Sequence, residues 1–247
     1  MKILFVDLET APNLASVWGI WQQNISLDML ISSGYTLCYS ASWLDSDEVF
    51  FDSTQHKSPK AMLRGIHKLL DEADAVVTYN GDKFDIPTLN KDFVLYGYTP
   101  PSPTKSIDLY KTIKAKFRLP SNKLEYVVKF FEVGEKLKHI GYDLWKGVMA
   151  GDKNCWKLME EYNIRDTVVL KKLYLKILPW VPHHANYSIH NAEDALCCPN
   201  CGSTHLVKRG FYRTEASEYQ RYKCVDCGKW LRDNKILNRN RFRTVGV

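Results

Sequence analysis

Hydrophobic residues in the first 180 positions form short strand-like runs between longer helix-like patterns. The first run, Ile3 to Val6, is unbroken, as in a strand buried on both faces. The β-rich stretch from Tyr35 to Leu44 and the segment from Glu48 to Asp52 predict a hairpin. Together with the first strand they predict three antiparallel strands. Ala75 to Thr78 predicts a further short buried strand.

The helical patterns carry their own start and stop signals. Ser58 and Pro59 suit the cap and first position of a helix that runs to about Glu72, and Pro87 predicts a helix start near Asp85. The longest pattern extends roughly from Lys153 to Leu178 and ends at prolines. Shorter helices are predicted from Leu109 to Phe117, Leu124 to Phe131 and Asp143 to Met149, after a strand or turn near Lys105. Strands and helices thus alternate along the chain, as they do in an α/β fold.

Composition narrows the class of protein. The chain has 247 residues, of which 45% are hydrophobic and 25% charged, as is typical of globular proteins. No apolar run approaches the roughly twenty residues of a membrane helix, and the chain enters a strand without a signal peptide. We therefore expect an intracellular, cytoplasmic protein without membrane contact.

Positive charge is concentrated near the C-terminus. From Leu196 onward there are eleven Lys and Arg against four Asp and Glu, whereas the net charge of the whole chain is +6. This asymmetry indicates a polyanion partner for the C-terminal part. A solvated basic surface is the alternative.

Two carboxylates interrupt the first strand. Asp7 and Glu9 are two positions apart, so they project from the same face, where their charges repel each other. A divalent cation would relieve that repulsion. The alternative is a strand that runs out into a polar turn.

Two further aspartates follow later. Asp85 stands beside a predicted helix start, where a helix cap is the ordinary role. Asp166 lies among apolar residues of the longest helix, one turn after Tyr162, and a salt bridge is its ordinary role. If these carboxylates converge with Asp7 and Glu9, two Mg²⁺ or Mn²⁺ ions would compensate their charge. Two such ions roughly 3.5 to 4 Å apart suit phosphodiester cleavage.

Three short motifs carry a resemblance to a known superfamily. They are Asp7-Leu8-Glu9-Thr10, Asn80-x-x-x-Phe84-Asp85 with Leu89, and Tyr162-x-x-x-Asp166-Thr167. These motifs occur in the order and character of those of DEDD exonucleases, and the resemblance implies an RNase H-like fold with a mixed central sheet flanked by helices. The tyrosine of the third motif makes the chain similar to the DEDDy branch, which includes the proofreading domains of family A and family B DNA polymerases. Residues 119–126 resemble a stretch of family B enzymes, and the similarity covers roughly residues 1–180.

The resemblance implies a two-metal 3′-5′ exonuclease. Asp7, Glu9, Asp85 and Asp166 would bind the two ions, with Asp7 bridging both, and Tyr162 would orient the attacking water. The products would be nucleoside 5′-monophosphates. Single-stranded or frayed DNA is the leading substrate, and RNA is the second.

Some residues are open to two interpretations. Thr10 and Asn80 are candidate nucleic-acid contacts, although Asn80 equally suits a turn. Trp18 and Trp21 either stack on a terminal base or, as we expect, pack in the core. For Asp108 we expect a structural role.

The cysteines near the C-terminus resemble those of a zinc ribbon. Two Cys-x-x-Cys units, Cys198 with Cys201 and Cys224 with Cys227, are each followed by Gly. Four thiolates suit one tetrahedral structural Zn²⁺, which a piece of about forty residues needs for stability. Cys197 is expected to be a bystander, with replacement of Cys198 as the alternative.

Basic residues alternate with aromatic ones between the two cysteine pairs. The pattern indicates contacts to nucleic acid, while the alternative is a β-hairpin whose aromatic rings pack on the cysteines. After Trp230 we expect a phosphate-binding arm or a disordered end. The candidate nucleic-acid contacts are Lys208, Arg209, Arg213, Arg221 and Lys223.

We expect four segments along the chain. They are an RNase H-like exonuclease domain at 1–188, a linker at 189–196, a zinc ribbon at 197–232 and a basic tail at 233–247. A nucleic acid is the expected partner, and a replication or repair protein is a further candidate. Alternative functions are a structure-selective endonuclease and a catalytically silent adaptor that binds nucleic acid.

Overall fold

The structure is a computed structural model, and it describes residues 1–135, 141–190 and 196–240. The chain forms two compact units. The N-terminal unit contains Lys2–Lys176, and the C-terminal unit contains the residues from Ile177 onward. The expected end of the domain at residue 188 is therefore twelve positions after Lys176, where the N-terminal unit ends.

The N-terminal unit contains the following elements in chain order: β1 (Ile3–Thr10), β2 (Leu14–Ala15), β3 (Leu30–Ser32), β4 (Thr36–Trp43), β5 (Val49–Ser53), α1 (Pro59–Glu72), β6 (Ala75–Thr78), α2 (Asp85–Leu95), β7 (Lys105–Asp108), α3 (Leu109–Lys116), α4 (Leu124–Phe130), α5 (Tyr142–Met149) and α6 (Lys153–Ile177). Helix α6 continues by one residue into the C-terminal unit. The predicted elements are confirmed to within about one residue at most ends.

The central sheet has the strand order β5-β4-β1-β6-β7. Strand β1 pairs antiparallel with β4, and β4 pairs antiparallel with β5, which confirms the three predicted antiparallel strands. On its other side β1 is parallel to β6, which is parallel to β7. The sheet is mixed, and β1 lies at its centre, which explains why Ile3 to Val6 are all buried.

Helices cover both faces of the sheet, as predicted. On one face, buried residues of α1 and α2 form a core with Leu4 and Val6 of β1. Ser58 caps α1, since its side chain accepts a hydrogen bond from the Ala61 amide. On the other face, residues of α5 and α6 form a second core with Leu37 and Cys38 of β4. On this second face the ring of Phe5 in β1 packs edge-on against Tyr174 of α6, so helices cover β1 on both sides.

A two-stranded ribbon extends the hairpin of β1 and β4. The amide of Ala11 donates to the carbonyl of Tyr35, and β2 then pairs antiparallel with β3. At the end of this ribbon the side chains of Trp18 and Trp21 are 99% and 81% exposed. The expectation of core packing is therefore wrong for both, because the segment that carries them extends beyond the sheet that the helices cover.

We expect the double variant Trp18→Ala/Trp21→Ala to shift the Tm by about 2 °C or less. Exposed substitutions usually change the free energy of unfolding by about 0.5 kcal/mol. The matched control is Trp156→Ala, since Trp156 is 6% exposed in the second core. Its loss should cost about 3 to 5 kcal/mol and lower the Tm by roughly 10 °C in calorimetry. Equal shifts would contradict the exposed placement.

The C-terminal unit contains a short helix and a three-stranded antiparallel sheet. The elements are α7 (Tyr187–His190), β8 (Leu206–Arg213), β9 (Ser217–Cys224) and β10 (Trp230–Arg239), with β9 in the middle of the sheet. Strand β10 pairs with β9 as far as Arg239, so the expected boundary at residues 232 and 233 falls inside a strand. Residues 233–239 therefore belong to strand β10 of this sheet.

Parts of the expected linker and tail lie outside the described residues. The linker at 189–196 begins within α7, and its residues 191–195 are not described. The tail is described only to residue 240. In the described ranges, no helix combines the length and the apolarity that a membrane crossing requires.

Candidate active site and cysteine cluster

Asp7 and Glu9 lie on the central strand of the sheet. In the register with β4, Asp7 is opposite Ser40 and Glu9 is opposite Cys38, which places both carboxylates on the face that α6 covers. Both side chains are partly buried. The backbone that carries them is fixed by strands on both sides, so their separation is set by the sheet.

Asp166 comes to the same place from helix α6. Its side chain is buried, with 2% exposure. The carboxylates of Asp7, Glu9 and Asp166 each offer an oxygen atom, and these oxygens all lie within 4.8 Å of one another. Three negative groups at this separation repel one another, and a hard divalent cation prefers such oxygen ligands. The donor set therefore fits Mg²⁺ or Mn²⁺.

Buried hydroxyl groups fix α6 against the sheet beside this cluster. The Ser40 hydroxyl donates to the carbonyl oxygen of Asn163, with 2.8 Å between the oxygens. The hydroxyls of Ser40 and Thr167 are 2.6 Å apart and share a further hydrogen bond. Since Thr167 follows Asp166, these contacts hold the helical turn that presents the Asp166 carboxylate.

Asn163 is a site residue that the sequence analysis missed. Its Nδ2 atom donates to the Asp7 carboxylate at 2.7 Å from Oδ2, and it lies 3.3 Å from the Asp7 carbonyl oxygen. The side chain is fully buried. A signal was present in the sequence, since asparagine is a poor helix former and this one follows Tyr162 in the longest helix. The contact orients the carboxylate of Asp7.

Asp85 is the first residue of α2, as expected, and it reaches β1. Its Oδ1 atom accepts a hydrogen bond from the Leu8 amide at 3.2 Å. The pKa of Asp85 is raised to about 6, chiefly by burial. Hydrogen bonds from its own amide and from the Leu8 amide lower the pKa, and the charge of Asp108 raises it. Asp85 lies outside the group of three carboxylates within 4.8 Å. Asp85 therefore lies next to the three carboxylates, bonded to the backbone of the residue between Asp7 and Glu9.

Tyr162 is buried in the second core, whereas Thr10 is exposed to solvent. Tyr162 is one helical turn before Asp166, and its buried ring packs edge-on against Trp145 with 6.3 Å between ring centroids. Thr10 is exposed at the end of β1, after an irregularity in the pairing with β4.

Asn80 lies in a turn that Asp108 stabilises. The backbone of Asn80 has a φ of +66°, and its amide donates to Oδ1 of Asp108 at 2.8 Å. The same oxygen accepts from the Tyr110 amide at 3.0 Å and so caps α3, which confirms a structural role for Asp108. Asn80 also lines a cavity of about 420 Å³ together with Tyr79, Tyr110, Asn122, Lys123 and Leu124.

The four cysteines of the two pairs form a cluster in the C-terminal unit. One sulfur from each of Cys198, Cys201, Cys224 and Cys227 lies within 4.8 Å of the others. The Sγ atoms of Cys198 and Cys227 are 3.7 Å apart, as are those of Cys201 and Cys224. Tetrahedral zinc with bonds of about 2.3 Å requires sulfurs about 3.8 Å apart. The geometry therefore fits Zn²⁺.

The backbone around the two cysteine pairs has the same form. The amides of Gly202 and Gly228 donate to the carbonyls of Cys198 and Cys224 at 2.8 Å and 3.1 Å. The φ angles of Gly202 and Gly228 are +76° and +79°, a backbone conformation that residues with side chains rarely adopt. These two turns aim the sulfurs of each pair at a common point. Cys197 lies outside the group of four.

The strand register separates the basic residues that were expected to contact nucleic acid. Alternation along β9 puts Arg221 and Lys223 on one face of the sheet. Lys208 and Arg213 pair with Tyr222 and Glu218, on the opposite face. Arg209 lies in an irregularity of β8, where its carbonyl accepts from Arg221 Nε at 2.8 Å.

Comparisons with known proteins agree with this architecture. A family model described as the RNase_H superfamily matches residues 31–178. The expected RNase H-like fold, with its mixed sheet between helices, is thereby confirmed. The match begins after β1, so the placement of Asp7 and Glu9 rests on their own geometry. A search among curated proteins gave no match.

Among solved structures, the chain is similar to the family B DNA polymerase from the hyperthermophilic archaeon Pyrobaculum calidifontis. The TM-score is 0.56 and the sequence identity is 16%, over 72% of this chain and 24% of the polymerase. The chain thus spans about a quarter of that polymerase. At this identity the similarity shows the fold.

Proposed function

Because the chain belongs to the RNase H superfamily, we propose that it is a metal-dependent nuclease that removes nucleotides from the 3′ end of a nucleic acid strand. The observation that carries the proposal is the group of three carboxylates at the centre of the sheet, within 4.8 Å of one another. A fold of this superfamily combined with oxygen ligands for a divalent ion suits phosphodiester hydrolysis.

The residues of the site have distinct roles in this proposal. Asp7, Glu9 and Asp166 would hold one divalent ion, and Asp85, which accepts a hydrogen bond from the Leu8 amide, would serve a second. The ions supply charge stabilisation of the scissile phosphate and activation of water. Asp7 is kept in position by Asn163, and Tyr162, one helical turn before Asp166, would orient the water.

Two observations support action at a 3′ end. The three sequence motifs resemble those of DEDDy exonucleases, and the fold is similar to that of a family B DNA polymerase. The cavity beside Asn80 adds a candidate place for a strand end, since Tyr79 and Tyr110 offer aromatic rings and Lys123 a positive charge. We propose single-stranded or frayed DNA as the substrate, with RNA as the second candidate.

The test is the degradation of oligonucleotides labelled at the 3′ or the 5′ end, with Mg²⁺ or Mn²⁺. A 3′-5′ exonuclease releases mononucleotides from the 3′ label at once and shortens the 5′-labelled strand stepwise. DNA and RNA strands of the same sequence reveal the sugar preference. Internal cuts on both labels would instead identify an endonuclease, and binding without cleavage at any metal would identify an adaptor.

We expect Asn163→Leu to lower kcat by about 10- to 100-fold with little change in KM. Leucine has a similar volume but cannot donate to Asp7, so the carboxylate loses its fixed orientation, and small misplacements are costly. Steady-state kinetics on a 3′-labelled strand measures the effect. The matched control is Asn154→Leu on the first turn of the same helix, where the side chain is exposed. A large rise in KM alone, or equal losses in both variants, would contradict a positioning role.

For the C-terminal unit we propose one structural Zn²⁺ held by Cys198, Cys201, Cys224 and Cys227. The sulfur separations of 3.7 Å support this assignment. A ribbon of this size needs the metal because it buries little apolar surface. Thiolate ligands of this kind persist in a reducing compartment, which favours an intracellular location.

A further inference from the structure

The two faces of the sheet in the C-terminal unit differ in charge and in aromatic content. On one face, Arg221 is paired with Arg232, and Lys223 is paired with Trp230. Tyr219 of the same strand is paired with Tyr212 of β8. Residues paired across antiparallel strands share a face, and alternate residues of β9 do so too. We name this surface, formed by Tyr212, Tyr219, Arg221, Lys223, Trp230 and Arg232, the cationic face.

Contacts between cations and rings confirm this assignment independently of the register. Arg221 Cζ lies 4.9 Å and Lys223 Nζ 5.7 Å from the centroid of the Trp230 ring. Arg232 Cζ lies 4.1 Å from the centroid of Tyr219 and 5.7 Å from that of Tyr212. Arg221, Lys223 and Arg232 therefore lie over aromatic rings of the same unit.

These contacts determine what the face can offer to a ligand. A ring that is covered by a cation of its own chain has no open face there for a nucleic acid base. The cations, in contrast, are held in place before any ligand arrives, since Arg221 is fixed both by Trp230 and by the hydrogen bond from its Nε to the Arg209 carbonyl. A guanidinium held in this way still presents its terminal N–H groups, which match phosphate oxygens.

The opposite face also has one cation over a ring, with 5.6 Å between Arg213 Cζ and the centroid of Phe211, but the charge of this cation is compensated. Arg213 there forms an ion pair with Glu218, with 2.5 Å between Nε and Oε2. Its charge is therefore compensated within the sheet, and Lys208 remains as the second basic residue of that face. Of the paired positions, four cations (Arg221, Lys223, Arg232 and Arg239) lie on the side of the cationic face, while the opposite side carries two cations and one carboxylate.

We propose that the cationic face binds the phosphodiester backbone of a nucleic acid strand through Arg221, Lys223 and Arg232, without stacking on its bases. The aromatic residues serve to hold the cations. This inference rests on the proposed function in that the strand is the substrate of the nuclease. Of the five contacts expected from the sequence of the C-terminal unit, the proposal keeps Arg221 and Lys223. It adds Arg232 to them.

The test compares two double variants in which the same number of charges is removed. Arg221→Gln/Lys223→Gln alters the cationic face, and Lys208→Gln/Arg213→Gln alters the opposite face. The full chain carries Asp7→Asn, and the buffer lacks Mg²⁺ and Mn²⁺, so that the strand is not degraded. The buffer also lacks chelators, so that zinc is retained. Fluorescence anisotropy measures the binding of a labelled oligothymidylate over a range of salt concentrations.

We expect the slope of log K against log salt to fall in magnitude by about 1.4 for the cationic-face variant, since each phosphate contact to a single strand contributes about 0.7. The opposite-face variant should keep the parent slope. The cationic-face variant should bind an abasic oligonucleotide of the same length more weakly than the parent protein does. The factor of this loss should equal the factor measured with the oligothymidylate. A loss confined to the strand with bases would show stacking and overturn the proposal, as would equal slopes in both variants.

Zinc content and nuclease activity separate the other outcomes. If Arg221→Gln/Lys223→Gln loses zinc, the single variant Lys223→Gln carries the test, with an expected change in slope of about 0.7. Degradation of a labelled strand by the chain with native Asp7 is measured in parallel. Degradation with an unchanged slope refutes the cationic face alone, whereas a reduced slope without degradation by the native chain refutes the proposed nuclease alone.

Discussion

Asp7→Asn is expected to lower the rate of strand degradation on the order of 10³-fold and, at the same time, to stabilise the metal-free protein. The rate falls because the variant loses a ligand charge of the proposed metal site, and such ions contribute several kcal/mol to phosphodiester cleavage. Asparagine has the same shape as aspartate, so Asn163 keeps a hydrogen-bond acceptor at this position. The lost activity is therefore not a consequence of altered packing.

Stability should change in the opposite direction because the three carboxylates repel one another when no ion is bound. Asp7, Glu9 and Asp166 lie within 4.8 Å, and Asp166 is buried, where solvent screens its charge weakly. Removal of one charge should gain on the order of 1 kcal/mol and raise the Tm by about 2 to 4 °C. Calorimetry in buffer without Mg²⁺ and Mn²⁺ measures this shift. Added Mg²⁺ should then stabilise the variant less than the native protein.

The control for this variant is Asp143→Asn. Asp143 is an exposed aspartate of the same unit, 2.6 Å from Lys146 Nζ in an ion pair. Exposed pairs contribute little to stability, so neither the rate nor the response to Mg²⁺ should change. A decrease in the Tm of Asp7→Asn without metal would mean that the three carboxylates are not a repulsive group, and it would count against the metal site.

The parts of the site that could be predicted from sequence are those that local periodicity determines. The unbroken apolar run from Ile3 to Val6 predicted a buried strand, and the spacing of two placed Asp7 and Glu9 on one face. The long apolar pattern around Asp166 predicted helix α6. Hydrophobic periodicity thus predicted the central strand and the helix, and the motif order indicated that they meet.

Other parts depend on tertiary contacts that periodicity does not encode. The hydrogen bond from Asn163 to Asp7 joins residues 156 positions apart, and only the packing of α6 on β4 determines it. Trp18 and Trp21 were placed in the core by their hydrophobicity, but they lie on a ribbon beyond the sheet. The cationic face depends on the register of three strands, where a shift of one residue would exchange the two faces.

Cys224→Ala is expected to abolish zinc binding and to unfold the C-terminal unit while the N-terminal unit stays folded. Four thiolates hold the proposed ion, and structural zinc supplies about 10 to 16 kcal/mol in small domains of this kind. The exposed side chains of β8 and β10 leave little core to replace it. Elemental analysis should show one zinc per native chain and almost none in the variant. The N-terminal unit has its own cores and should keep its unfolding transition.

Cys197→Ala is the matched control, because Cys197 is adjacent to Cys198 in sequence but lies outside the group of four sulfurs. It should keep one zinc per chain. Zinc retained in Cys224→Ala would contradict the proposed ligand set, and zinc lost in Cys197→Ala would show that Cys197 is a ligand. If Cys224→Ala also removes the salt-dependent binding that Arg221→Gln/Lys223→Gln weakens, the zinc ion is required for that binding as well. The physical reason is that the ion holds β9 and β10 in the register that brings Arg221, Lys223 and Arg232 to one face.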